Sequence, residues 1–233
     1  MGRCDSSAGC GSAGTGDILV EEEKVNQKKI VIIVSIIVGF LLIWSAINPA
    51  NYGVWFLEVA PGLIGVTILA LTYKRFQFST IVYIFVTLHF IILIIGGHYT
   101  YAENPLFNWL QDTFDLSRNY YDRLGHIAQG FFPAIIIREL LLRKTKLERG
   151  KWLFFLVASV ALAISASYEL FEWFAAVSLA PGTGDAFLAT QGDIWDSQWD
   201  MLLALVGSIT SLLLFSRLHD RQLESIKSTE KKR

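Results

Sequence analysis

The sequence predicts an all-α integral membrane protein, a bundle of six transmembrane helices with both termini in the cytoplasm. Of its 233 residues 53% are hydrophobic and only 18% are charged, too apolar for an ordinary soluble domain of this size. Six stretches are long enough to cross a hydrocarbon layer, which takes about 20 apolar residues in a helix. The basic residues gather in alternate connections, the distribution that follows when Lys and Arg are retained on the cytoplasmic side during insertion.

Residues 1–29 are polar and rich in Gly and Ser, with an acidic run at Glu21, Glu22 and Glu23, and are expected to form a disordered cytoplasmic tail. The opening Met1-Gly2-Arg3-Cys4-Asp5-Ser6 fits a myristoylation pattern, with Cys4 placed for a second acyl chain, although so short a pattern commonly arises by accident. Both cysteines, Cys4 and Cys10, lie here, so no disulfide or Cys-based metal site can staple the bundle.

The six spans run over 30–47, 54–73, 81–97, 124–142, 152–177 and 194–216, within a transmembrane domain of residues 30–217 followed by a basic cytoplasmic tail, 218–233. The first span lacks a small-residue cleavage site and is followed by further spans, so it is expected to remain in the mature protein. No internal repeat is visible, which weakens an inverted-repeat transporter reading. With six spans, 17 of the 20 Lys and Arg residues fall on one side. Arg118 and Arg123 lie on the other, and Arg138 is expected to snorkel to the cytoplasmic surface.

The connection 98–121 is long and aromatic and is expected outside. Asn104 can cap a short helix with Pro105 at its first position, and Leu106, Phe107, Leu110 and Phe114 recur at helical spacing. An interfacial helix on the outer leaflet follows from this pattern.

Ionisable side chains inside a membrane are costly, so convergent ones are functional candidates. Asp122, His126 and Gln129 share a face at i, i+4, i+7; Glu169 and Glu172 share another; Asp193, Asp196 and Asp200 share a third. The second stripe continues into Ser165, Ala161 and Ala158, and the third into Ala204, Gly207 and Ser211. Small residues mark close helix packing, so both acidic stripes are expected to point into the bundle. Like charges gathered there need a cation or protons, with His126 and Arg123 offsetting part of the charge and Glu58 adding to it. The candidate catalytic residues are Asp122, His126, Glu169, Glu172, Asp196 and Asp200. Asp122, His126, Glu169, Asp196 and Asp200 are the candidate ligands of a divalent metal such as Mg, Mn or Zn, suited to oxygen donors with one imidazole.

The plainer alternative is that Asp193 and Asp122 cap helices, Asp196 favours a first turn, and acids at external ends are hydrated. His89, alone in the third span, is expected to hydrogen-bond a neighbouring helix, His98 to sit at the interface, and His219 in the cytoplasm. Gly182-Thr183-Gly184 and Gln191-Gly192 lack the context of a nucleotide loop and read as turns. No basic run interleaved with aromatics suggests nucleic acid as a partner.

Several motifs together resemble the YjdF-like family of bacterial inner-membrane proteins: Gly97-His98-Tyr99-Thr100-Tyr101; Arg118-Asn119-Tyr120-Tyr121-Asp122-Arg123 with His126 and Gln129-Gly130; Arg138-Glu139; Tyr168-Glu169-Leu170-Phe171-Glu172-Trp173; and Thr190-Gln191-Gly192-Asp193 with Trp195-Asp196 and Asp200-Met201. Ile127 stands where an aromatic would be expected. The order of an Asp-basic-x-x-His helix, a Glu helix and an Asp helix is also similar, more distantly, to VanZ-like membrane proteins. The resemblance implies a helical membrane fold in the bacterial inner membrane, and the second likeness points toward the cell envelope. Three functions compete: a metal-assisted hydrolase or transferase acting on a lipid or lipid-linked envelope substrate at the outer face, a cation- or proton-coupled transporter, and a non-catalytic assembly protein within the bilayer.

Overall fold

The structure, a computed structural model, describes residues 13–178 and 182–231. The expectations for Cys4, Cys10 and the opening acylation pattern lie outside the described residues. Eight helices follow in order: α1 (Ala13–Ser45), α2 (Tyr52–Thr72), α3 (Thr80–Tyr99), α4 (Pro105–Phe114), α5 (Tyr121–Lys144), α6 (Lys151–Ser178), α7 (Thr183–Leu188) and α8 (Asp196–Lys231), with a 3-10 turn at Tyr101–Glu103. A backbone in hydrocarbon must satisfy its own polar groups, and helices do so within each segment.

Five of these helices, α2, α3, α6, α8 and the 25–45 stretch of α1, are long and apolar enough to cross a membrane. The remaining long helix, α5, has 24 residues but carries Asp122, Arg123, Arg138 and Glu139 buried along it. It packs against α3, α6 and α8, while α1 and α2 lean on α3. The helix with the most buried charge is thus the most enclosed one.

α5 and α8 meet almost backbone to backbone. A Cβ added at Gly130 would collide with the Ala204 carbonyl, and one added at Gly207 would collide with that of Ile127. The small-residue stripes behave as their spacing implies: Ala204, Ser211, Ser165 and Ala161 are all buried.

Midway along the bundle, Phe85, Phe131, Phe132 and Phe215 form an aromatic layer, with the Phe85 centroid 5.2 Å from Phe132 and 5.1 Å from Phe215. Edge-on packing at this distance matches the quadrupoles of the rings. Along α5 these rings stand between His126 and Glu139. Toward the end of the basic connections, Glu139 is fully buried and accepts from Ser79 Oγ at 2.6 Å, from Arg143 at 2.7 Å and from the ring of His219 at 3.0 Å. The other nitrogen of His219 lies 2.8 Å from an Arg138 Nη, whose second Nη donates to Asp220. A guanidinium only donates, so His219 accepts at Nδ1 and donates from Nε2 to Glu139.

The structure differs from the sequence expectations at four places. α1 starts at Ala13, inside the segment expected to be a disordered tail, because the Ile18-to-Lys24 run propagates a helix already nucleated by the span. α8 continues to Lys231, so the segment expected as a basic tail begins as a helical extension of the last span, packed at His219 and Leu223. Arg138 does not snorkel: it is buried on His219 and Asp220. His89 makes no interhelical hydrogen bond through Nε2 and instead stacks on Phe132, centroids 6.0 Å apart.

Candidate functional site

The site begins with a turn that glycine makes room for. Thr100 adopts φ +64°, uncommon and strained for a β-branched residue, and sends Tyr101 into the bundle. A Cβ at Gly96 or at Gly125 would strike the Tyr101 ring, so the two glycines form the slot that receives it. Burial pushes the Tyr101 phenol well above its usual range, which keeps it a proton donor beside Glu58.

α4 forms as its cap predicts, with Asn104 Oδ1 accepting from the backbone of Leu106 and Phe107 and Pro105 in the first turn. Its Leu106, Trp109 and Phe114 remain exposed. The chain then enters α5 through Asn119, whose backbone N–H and carbonyl pair with the amide of Gln191 at 2.8 and 2.9 Å. This pairing joins the start of α5 to the turn before α8 and sets two arginines among the aspartates.

Arg118 donates to Asp196 at 2.6 Å, to Asp122 at 3.2 Å and to the Ala189 carbonyl at 3.1 Å. Arg123 donates to Asp196 at 2.7 Å, to Asp193 at 3.0 Å and to Asp200. Both arginines are buried, as are Asp122, Asp196 and Asp200. Burying such charges is tolerable only when they are paired and hydrogen-bonded. Much of the repulsion expected among the acids is therefore met by two guanidinium groups, of which Arg118 carried no expected role. Its i, i+4 spacing from Asp122 was the available signal. Asp193 precedes α8 and accepts from Trp195 N at 2.9 Å; Asp122 sits in the first turn of α5, one residue past its start, rather than at the cap.

A second group of acids lacks such partners. His126 stands between the two sets, its Nε2 3.5 Å from Asp122 and 3.9 Å from Asp200, its Nδ1 3.6 Å from Glu169 and 3.3 Å from the Gln129 side-chain oxygen. Glu169 Oε1 is buried without a hydrogen bond. Two triplets bring one donor atom per residue within 4.8 Å of each other: Asp122, His126 and Asp200, and His126, Glu169 and Glu172. Asp196 belongs to neither, and Asp200 and Glu169, expected to share a ligand, lie on opposite nitrogens of one imidazole.

Beneath His126 lies a cavity of about 140 Å³, lined among others by Glu58, Tyr101, Asp122, Tyr168, Glu172 and His89. Tyr168 donates to Glu58 Oε2 at 3.3 Å across the gap between α6 and α2. Two prolines, Pro61 and Pro133, also line it. Each removes the N–H that would have bonded the carbonyl four residues earlier, at Leu57 and Gln129. The cavity thus offers carboxylates, the imidazoles of His89 and His126 and phenols, and among the described residues no Lys or Arg lines it.

A family described as a predicted membrane protein family, DUF2238, matches residues 30–221. Inner membrane protein YjdF of Escherichia coli (strain K12) is 45% identical over 183 residues, covering 78% of this chain and 87% of that protein. No solved structure matches significantly. The match runs from the first apolar helix to the clasp around Asp220, and so takes in the arginine-bridged aspartates and the His126 cavity alike: the chain is a membrane protein of the DUF2238 family, to which it belongs together with YjdF.

Proposed function

We propose that the protein is a six-span enzyme of the bacterial inner membrane that holds a divalent cation at His126 and uses it to hydrolyse or transfer a group on a lipid or lipid-linked substrate at the outer face. The observation that carries this reading is the position of His126, with carboxylate oxygens facing both ring nitrogens. A neutral imidazole has one N–H, so one nitrogen would face a carboxylate lone pair with no hydrogen between them. A metal ion at that nitrogen removes the conflict. The Glu169 oxygen left without a hydrogen bond favours Nδ1, with Glu169 and Glu172 as co-ligands, while Nε2–H turns to Asp122 in the carboxylate–histidine–metal arrangement that orients such rings. Asp122, Asp196 and Asp200 then hold Arg118 and Arg123 and frame the site. A Mg, Mn or Zn ion there would polarise a phosphoryl or acyl oxygen and lower the pKa of a bound water.

The aromatic layer favours this reading over a transporter. Phe85, Phe131, Phe132 and Phe215 stand between His126 and Glu139 on the α3, α5 and α8 side of the bundle, where a conducting path would need polar groups. The charge distribution supports α5 as the sixth span and both termini in the cytoplasm.

The test is elemental analysis and melting of the protein purified in detergent, with Mg, Mn or Zn added. The wild type should carry a metal and be stabilised by it through mass action. His126→Ala and Glu169→Gln should lose both effects, whereas Asp196→Asn should keep them. In vesicles, headgroup release should vanish in His126→Ala. Wild-type protein with no metal and no metal-dependent melting shift would remove the enzyme reading and leave a second proton on His126 as the resolution.

A further inference from the structure

One wall of the cavity below His126 lies between α2 and α6, which are not packed along their length. At this level they are joined by the hydrogen bond from Tyr168 to Glu58 and by Val54 and Leu57 clustered with Tyr168 and Ala175. On the bilayer side of that bond, α6 carries an apolar groove formed by Val160, Ala163, Ile164, Ser167 and Phe171. The Ser167 hydroxyl is turned back onto the Ala163 carbonyl, so it presents no polar demand. Groove and cavity share Ile164 and Tyr168 as lining residues. The groove runs along α6 for about 16 Å, at roughly 1.5 Å per residue, from the level of the cavity toward the middle of the helix. That is the course of an acyl chain whose headgroup lies at the acidic end.

We propose that an amine-bearing phospholipid enters the cavity sideways from the bilayer between α2 and α6, laying one acyl chain in the α6 groove and its ammonium group against Glu58. The charges lining the cavity select this headgroup. Glu58, buried, is flanked by the Tyr101 and Tyr168 rings, and a carboxylate with two aromatic neighbours suits an ammonium ion. Since no Lys or Arg lines the cavity, an anionic headgroup lacking an amine finds a metal at most and otherwise meets carboxylates. Entry exchanges the Tyr168–Glu58 hydrogen bond for an ammonium–carboxylate pair, so the headgroup itself opens the wall.

This inference rests on the enzyme reading above, in which His126, Glu169 and Glu172 would hold a cation able to polarise a phosphoryl oxygen. The experiment separates the two. The full-length protein is reconstituted with phosphatidylethanolamine or phosphatidylglycerol carrying a diazirine in one acyl chain, illuminated, and mapped by peptide mass spectrometry. The total yield of labelled peptide for each lipid serves as the internal reference. Relative to it, phosphatidylethanolamine should label 160–171 several-fold more than phosphatidylglycerol. Glu58→Gln should abolish that preference, and Ala163→Trp or Ser167→Phe, both on the lipid-facing side, should cut the labelling several-fold while bound metal is retained. Labelling of 160–171 that is equal for the two lipids, or unaffected by both groove variants, overturns the proposal. If the preference is present but no metal is found, the lipid assignment stands and the metal reading falls.

Discussion

The Arg123 guanidinium on α5 is bonded to the Asp200 carboxylate on α8, and both side chains are more than nine-tenths buried. Each charge is the condition for burying the other, because a lone ion in this setting has neither water nor a counter-charge. Arg123→Ala leaves Asp193 and Asp196 to Arg118 and Asp200 with no guanidinium, and is expected to cost about 3–5 kcal/mol, the range for breaking one side of a buried pair. Melting in detergent reads this directly. Arg123→Lys should fall between, since a point ammonium cannot bridge three carboxylates as a planar fork does. A wild-type melting point in Arg123→Ala would mean that these contacts carry no structural weight.

The two nitrogens of His126 give different expectations. With the cation on Nδ1, Glu169→Gln removes a ligand and abolishes binding, while Asp122→Asn removes the negative charge that faces Nε2 and Arg118 and weakens binding roughly 10–100-fold. Isothermal titration with Mn gives both values. The reverse order would put the ion on Nε2 with Asp122 and Asp200.

The helices and their faces were legible in the sequence because hydropathy and small-residue spacing are local properties. Asp122, His126, Glu169 and Asp200 were recognisable as convergent for the same reason. What the sequence did not disclose depends on contacts between distant segments. Arg118 looks external until Gln191 pairs with Asn119 and folds its loop over α8. His219 and Asp220 look like tail residues until Arg138, about 80 positions earlier, reaches them. Periodicity also places Asp193 on the stripe of Asp196 and Asp200, although it precedes the helix and joins them only through Arg123.

Removal of one partner from the clasp at the basic end should unfold that end first. His219→Ala leaves an oxygen of the fully buried Glu139 and an N–H of Arg138 short of a partner, at a cost of about 1–3 kcal/mol. Hydrogen exchange should rise in 216–227 and around Ser79 before it rises near His126. Uniform acceleration along the chain would show that the two ends open as one unit.

Close approach of α5 and α8 predicts that even one methyl group is too much. Gly207→Ala and Gly130→Ala each place a Cβ against a backbone carbonyl that cannot rotate away, and overpacking of this kind costs about 1–3 kcal/mol. Gly65, with open space around its position, is the control at which alanine should leave the melting point unchanged or raise it. Equal melting of all three variants would contradict the packing.

Topology can be read with single cysteines in a background lacking Cys4 and Cys10. Asn119 and Gly184 are buried, whereas Asp115 and Lys146 are exposed at opposite ends of α5. Asp115→Cys should react with a membrane-impermeant maleimide in intact cells, and Lys146→Cys only after permeabilisation. Labelling of both in intact cells would exclude α5 as a span.

The phenylalanine layer also determines what the membrane potential can do. Voltage falls across material that ions and water do not enter, and in the proposed orientation the rings of Phe85, Phe131, Phe132 and Phe215 lie deeper in the bilayer than the cavity at His126. Moving one charge through the whole field is worth about 2.3 kcal/mol per 100 mV, but a cation, proton or headgroup reaching His126 from its own side crosses only a small part of it. Occupancy of the site should therefore be the same in energised and de-energised vesicles, and whatever work the protein does there must be driven by the chemistry of its ligand.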